Sequence, residues 1–197
     1  VSYGIGLQIG EQLKSEGFDI DPQLLARGIA DTIAGKKPAI TQQEIRLAIQ
    51  AYQREASARL RKPGADFLAA NGKKKGVMTT KSGLQYKVLK KGTGRMPRAA
   101  DTVQVHYRGT LIDGKVFDDS LKGKAPKLTA EPLEFAANRV IRGWTEALQL
   151  MNVGSVYRLV IPSELGYGTR GAGQGIGPNS VLVFEVHLLG IEASKKK

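Results

Sequence analysis

Few side chains in this 197-residue chain are equipped for covalent chemistry. There is no Cys, which excludes thiol nucleophiles, disulfides and thiolate metal sites. A serine–histidine system would need one of only two histidines. His106 stands between Val105 and Tyr107 in an alternating run and points away from their shared face. His187 is likewise out of phase with Phe184, Val186 and Leu188, so both are expected on the outer, solvated face of a sheet. Two isolated histidines make a poor metal site, and no metal or cofactor is expected. Asp118-Asp119 could be sought as the acid pair of a hydrolase, but neighbours in a strand or turn point apart and no second pair opposes them. The loop GTRGAGQGIGPNS (168–180) has five glycines yet lacks the Lys-Ser/Thr of a phosphate cradle and precedes a strand, so neither a P-loop nor a dinucleotide fingerprint is present.

What remains is aromatic. Tyr107, Phe117, Phe135, Trp144, Tyr167 and Phe184 come from separate segments, and those with a readable strand or helix phase point inward. Asp118 is the one acidic group among them. Such a set can build a dry concave pocket with few polar handles. It can equally be an ordinary core, and for any single member that plainer reading stands.

The elements that must position these residues fall into two styles. Over the first 76 residues the apolar period is helical. Ile5, Ile9 and Leu13 recur at i, i+4. Asp21-Pro22 is an N-cap followed by proline at the first helical position, Leu25, Ile29 and Ile33 line one face, and Gly35 ends the helix. Thr41-x-x-Glu44 is a capping box ahead of the Ile45, Ile49, Tyr52, Ala56, Leu60 face. Pro63-Gly64 is expected to end or kink that helix, with ADFLAANG as a further short helix stopping at Asn71-Gly72. From Gly76 the period becomes 2. Leu84, Tyr86 and Val88 alternate, as do Val103, Val105 and Tyr107; VYRLVIP and SVLVFEVHLLGIE are two more strands. One short helix lies near 142–151. The fold class expected is α+β: a C-terminal antiparallel β-sheet wrapped around one short helix, preceded by an all-α region. The division expected is 1–76, a helical dimerisation domain with linker helix, and 77–197, a site-bearing sheet domain.

Composition sets outer bounds. Apolar residues are 41% and charged residues 24%, as in an ordinary globular chain. No apolar run reaches the roughly 18 residues of a membrane span. The net charge of +12 suggests a nucleic-acid partner, but its distribution does not. Residues 1–76 carry +4 and 77–197 carry +8, the densest runs are Lys73–Lys75 and Lys195–Lys197, and no basic stripe is interleaved with aromatics. No specific nucleic-acid binding is expected. The chain opens at Val1 without a Met, which leaves room for a preceding secretory segment.

The ordered set of motifs is more specific than any member. VHYRGTLIDGKVFDDS, PLEF, VIRGWTEALQLMNVG, LVIPSELGYGTRG and IGPNSVLVFEVHLLGIE together resemble the FKBP-type peptidyl-prolyl isomerases over residues 82–192. SYGIGLQIGEQL, GFDIDPQLLARGIADTIAGK and the SGLQYKVL entry are similar to the macrophage infectivity potentiator (Mip) branch of bacterial FKBPs. This resemblance implies an FKBP fold and a rotamase acting on proline-containing peptides and unfolded proteins, without cofactor or covalent intermediate. It also implies inhibition by macrolides such as rapamycin, a homodimer through the N-terminal helices, an added chaperone role, and a place in the periplasm or cell envelope, with the cytoplasm as the alternative. The other class of function is a non-catalytic holdase or surface-binding module that keeps the fold. Carried over residue by residue, the catalytic set is Tyr107, Phe117, Asp118, Ile141, Trp144, Tyr167 and Phe184, and Phe135, Val140 and Ile176 complete the substrate and inhibitor surface. In the family the tryptophan ring floors the pocket under the substrate proline. The isoleucine N–H and the loop tyrosine hydroxyl donate hydrogen bonds, and the Tyr107–Asp118 pair stiffens one wall. Ala172 stands where many members have a histidine, and Ile176-Gly177-Pro178 where Ile-Pro-Pro is common. Pro63-Gly64 is expected to interrupt the connecting helix and shorten it.

Overall fold

The computed structural model describes residues 1–15, 20–121, 131–173 and 175–192; the Lys195–Lys197 run lies outside them. Helix α1 spans Ser2–Ser15, α2 Pro22–Ile33 and α3 Gln42–Gly72. The start signals act as their chemistry requires. Asp21 Oδ1 accepts from the Gln23 and Leu24 N–H groups (2.8 and 3.2 Å), satisfying two donors that no helical carbonyl can reach. Thr41 and Glu44 close the reciprocal box: Glu44 N–H donates to Thr41 Oγ1 (3.2 Å), and Glu44 Oε2 accepts from Thr41 N–H (2.7 Å).

Two compact units emerge, residues 1–53 and 54–197. The second holds the sheet: β1 Val77–Thr79, β2 Gln85–Lys90, β3 Thr102–Leu111, β4 Val116–Asp119, β5 Leu133–Ala136, β6 Val156–Ile161 and β7 Leu182–Glu192. The order is β1-β2-β6-β7-β3-β4, with β5 also pairing β3, and every pairing is antiparallel. The short strands β1, β4 and β5 carry too few alternations to read as strands. The hairpin into β4 did leave a signal, since Asp113-Gly114 is a turn dipeptide and Gly114 has φ +87°.

One face of the sheet carries the main core. Leu84, Val103, Val105, Leu159, Ile161, Leu182, Val186 and Leu188 are buried there. Helix α4, Arg142–Leu148, lays Gly143, Trp144, Ala147 and Leu148 onto that face. Tyr86 and Tyr157 stack across β2 and β6 at 5.6 Å.

The other face is covered in part by residues 61–72 of α3, and here the structure corrects the sequence reading. Pro63-Gly64 does not end the helix: α3 runs on for 31 residues and takes in ADFLAANG. Proline deletes one N–H donor from the helix interior, yet packing outweighs that loss. Phe67 and Leu68 seat on Val160, Val181 and Val183. Asn71 Nδ2 donates to Gln85 Oε1 (2.9 Å), and Gln85 Nε2 donates to the Leu68 carbonyl (2.9 Å). Gly64 is a point of close approach, since a Cβ there would sit 2.8 Å from Val181 Cγ2. The dipeptide marks where the helix meets the sheet.

The histidines are the second correction. Both lie on the face away from the aromatic set, as their phase requires, and pair across β3 and β7. That face is not open at His106, which is 2% exposed. Just past β4, Ser120 continues alongside β3: its N–H donates to the Tyr107 carbonyl, and its Oγ lies 3.5 Å from His106 Nδ1. His187 is half-buried, with Nε2 at 3.1 Å from Glu185 Oε1.

Candidate isomerase pocket

The pocket begins with the pleat of β3 and β7. Tyr107 and Phe184 stand on the α4 side of these neighbouring strands, their rings 6.1 Å apart. Trp144, in the first turn of α4, meets both edge to face, at 5.1 Å from Tyr107 and 5.3 Å from Phe184. Phe135 from β5 lies 6.2 Å from the Trp144 ring, and Phe117 from β4 lies 5.4 Å from Phe184. Tilted contacts of this kind suit ring quadrupoles and hold each ring against its neighbour. Gly109 makes the corner possible, because a Cβ there would run into both the Phe117 and Phe184 rings.

Around these rings opens a concavity of about 510 Å³ lined by Tyr107, Phe117, Asp118, Phe135, Arg139, Val140, Ile141, Trp144, Tyr167 and Phe184. Six segments therefore converge as the aromatic set required. Ile176 is not on the lining; it is buried in the main core, and its backbone pairs with Ala172 in both directions. Arg139 is a lining residue that sequence reasoning passed over. Its place directly before Val140 was the available signal, but an exposed arginine carries no apolar period to mark it.

The polar handles are few. The Tyr107 hydroxyl donates to Asp118 Oδ2 at 2.6 Å. Burial, and then the adjacent Asp118 carboxylate, push the Tyr107 phenol far above its ordinary range, so it stays a donor. Asp119 turns the other way, toward Arg108 at 3.7 Å, as expected for adjacent residues of a strand. Ile141 caps α4, which leaves its own N–H without an intrahelical acceptor. Tyr167, 40% exposed, follows the short 3-10 turn Ser163–Leu165. Trp144 is 4% exposed, and its indole N–H has no partner among the described residues.

This arrangement contains, among the described residues, no nucleophile paired with a base. Among the described residues no group of three or more His, Asp or Glu side chains could hold a metal. It offers an apolar floor, aromatic walls and donors at the rim.

Comparison with known proteins agrees with this geometry. Residues 93–189 match the family described as FKBP-type peptidyl-prolyl cis-trans isomerase, and residues 1–88 match the domain amino terminal to it. An FKBP-type 22 kDa peptidyl-prolyl cis-trans isomerase of Escherichia coli K12 is 48% identical, over 96% of this chain and 93% of its own length. The outer membrane protein MIP of Legionella longbeachae is 39% identical, over 98% and 84%. The crystal structure of FkpA from Escherichia coli aligns with a TM-score of 0.65 at 36% identity, covering 98% of this chain and 95% of that one. The chain belongs to the FKBP-type peptidyl-prolyl cis-trans isomerases.

Proposed function

We propose that this chain catalyses rotation about Xaa-Pro bonds in the pocket over Trp144, with the residues converging there as its machinery. The observation that carries this reading is the convergence of six aromatic rings, one of them in the Tyr107–Asp118 pair, on one concavity that has donors and, among the described residues, no nucleophile paired with a base.

The uncatalysed bond crosses a barrier of roughly 18–20 kcal/mol and turns over in about 10–100 s. No bond is made or broken, so neither nucleophile nor cofactor is needed. The planar amide has a large dipole that water stabilises, and the twisted amide has less charge separation. An apolar pocket therefore disfavours the ground state more than the transition state, which is the differential binding that catalysis requires. Trp144 serves as the floor for the proline ring, with Phe135, Phe184 and Val140 around it. Tyr107, Phe117 and Asp118 form a stiffened wall. The Ile141 N–H and the Tyr167 hydroxyl are the donors that follow the rotating carbonyl. A millionfold acceleration asks for about 8 kcal/mol, divided here between desolvation and two donors. Ile176 contributes from behind the surface, through the loop it anchors.

The same pocket is the seat for macrolide inhibitors such as rapamycin. Residues 1–76 act as the dimerisation and linker region and 77–197 as the isomerase region. Support for a homodimer comes from the apolar side chains that α1 and α2 leave exposed, among them Tyr3, Ile5, Leu7, Leu24, Ile29 and Ile33. Two pockets on one dimer would hold an unfolded chain by avidity, which supports an added chaperone role. A periplasmic or envelope location is supported by the name of the Legionella relative, an outer membrane protein; no helix among the described residues is long and apolar enough to cross a membrane.

The test is a protease-coupled assay on Xaa-Pro tetrapeptides. The wild type should accelerate cis-to-trans conversion and be blocked by rapamycin, and the Trp144→Leu/Asp118→Leu double variant should be strongly impaired. A double variant as fast as the wild type would sink the assignment of the pocket. A chain without activity that still prevents aggregation would favour the holdase.

A further inference from the structure

Tyr167 is held from an unexpected direction. The loop that follows it runs from Gly168 to Asn179, and its two ends are pinned together: Asn179 N–H donates to the Gly168 carbonyl at 2.8 Å. Gly168 N–H in turn donates to the Ser163 carbonyl at 2.8 Å, closing the 3-10 turn that carries Tyr167. The position of the tyrosine thus depends on where Asn179 sits.

Asn179 is an unusual residue. Its φ is +57°, a left-handed backbone found at no other non-glycine among the described residues, and it is 6% exposed. Asparagine tolerates this conformation when its side chain finds a partner. The partner is Arg61, 118 residues away on α3, whose Nε–H donates to Asn179 Oδ1 at 3.2 Å. A cationic donor on a neutral carbonyl makes a charge-assisted bond, directional because the guanidinium is planar. The helix is located at this point by packing as well, since Gly64 lies against Val181 and a Cβ on it would stand 3.8 Å from the Asn179 carbonyl oxygen.

We propose that Arg61 is a positioning residue for the isomerase pocket, acting from α3 through Asn179 and Gly168 on the Tyr167 hydroxyl. The proposal rests on the reading of Tyr167 as a pocket donor. Arg61 touches no substrate. It selects the left-handed corner at Asn179, the corner holds Gly168, and Gly168 aims the neighbouring phenol. Displacing one donor by a fraction of an ångström weakens an interaction made in the transition state while leaving the apolar floor intact. The outcome is a pocket whose polar rim is set by the helix behind the sheet.

The experiment uses the full chain carrying Arg61→Ala, Asn179→Gly, Tyr167→Phe and the Arg61→Ala/Tyr167→Phe pair, with the exposed neighbour Arg59→Ala as control. Asn179→Gly keeps a backbone at home with positive φ while deleting the acceptor. Two signals are read: kcat/KM on an Xaa-Pro tetrapeptide, and the ring resonances of Tyr167 in carbon-13-labelled protein. Arg61→Ala should lower kcat/KM roughly three- to tenfold, shift the Tyr167 resonances, and add nothing further to Tyr167→Phe. Asn179→Gly should match it, and Arg59→Ala should behave as the wild type. Unchanged rate and unchanged Tyr167 resonances in both Arg61→Ala and Asn179→Gly overturn the proposal, as do independent, multiplying losses in the pair. If Arg61→Ala does not fold, Asn179→Gly alone decides by the same two signals. If Tyr167→Phe keeps the wild-type rate, the donor role fails instead, and the Tyr167 resonances still report whether Arg61 positions the ring.

Discussion

The Tyr107 hydroxyl reaches Asp118 Oδ2 at 2.6 Å from the adjacent antiparallel strand, where Gly109 rather than Tyr107 is the direct partner of Asp118. The bond is therefore a diagonal one across β3 and β4. It ties the wall formed by β4 to the strand that supports Trp144. Because the tyrosine donates, the carboxylate is held by a neutral phenol rather than by a cation.

Tyr107→Phe should keep the rings in place and remove only this tie. A hydrogen bond to a charged group is worth about 1.5–3 kcal/mol, but Asp118 keeps access to solvent when its partner is lost. We expect kcat/KM to fall about three- to tenfold. A cycle with Asp118→Asn should show coupling of about 1 kcal/mol, so that the double variant is no worse than the poorer single one. Strict additivity would show that the two groups act separately.

Trp144→Leu should separate activity from folding. The variant loses three edge-to-face ring contacts, each worth about 0.5–1.5 kcal/mol beyond area. Leucine retains part of the apolar volume, so circular dichroism should still show a folded chain with a lowered Tm. The flat floor cannot be rebuilt from a branched aliphatic side chain, and kcat/KM should fall by about tenfold or more. A variant that loses fold and activity in parallel would contradict this.

Pro63→Ala should stabilise the sheet-bearing unit, since α3 passes through this position without ending. Proline costs roughly 3 kcal/mol in a helix interior, offset in part by its restraint on the unfolded chain; a net gain of about 1–2 kcal/mol is expected in urea unfolding. Gly64→Leu should do the reverse, because its side chain would collide with Val181, with an overpacking cost of about 1–3 kcal/mol.

Asp101 gives the stability curve an acid-side feature. Hydrogen bonds from Arg95 Nη1 (2.7 Å) and the Arg98 N–H (2.8 Å) hold its carboxyl below the usual carboxylate range. A pKa lowered by folding contributes stability that is present in full above the unfolded value near about 4 and is lost as pH falls through the lower folded value. Asp101→Asn should thus lower Tm at neutral pH. The gap to the wild type should narrow only below about pH 4. A gap that is constant with pH would mean that the charge is not involved.

Leu24→Glu with Ile29→Glu should split the dimer. Both side chains are exposed on α2 of one copy, and placing carboxylates in an apolar contact should weaken association at least about tenfold. Light scattering at micromolar concentration would then show twice the chain mass for the wild type and the monomer for the variant. A wild type that is itself monomeric refutes dimerisation through these helices.

Where one local rule governed an element, the sequence was enough. The caps at Asp21 and Thr41 and the alternation in β3 and β7 each depend on neighbours two to four residues away, and each stands in the structure. The aromatic residues could be assigned to a pocket because strand phase sets which side of a sheet a residue occupies. The ordered motifs did the rest. The fate of Pro63-Gly64 was not legible, because the helix survives its proline through contacts with Val160, Val181 and Val183, roughly a hundred residues further on. The burial of His106 was hidden for the same kind of reason: phase names a face, and only the tertiary fold decides whether that face is covered. That Arg139 lines the concavity and Ile176 is buried was not marked by any period in the loops that hold them. Types, caps and phases are properties of the chain. Register, coverage and the bond from Arg61 to Asn179 are properties of surfaces meeting, decided by packing energy summed over residues far apart in sequence.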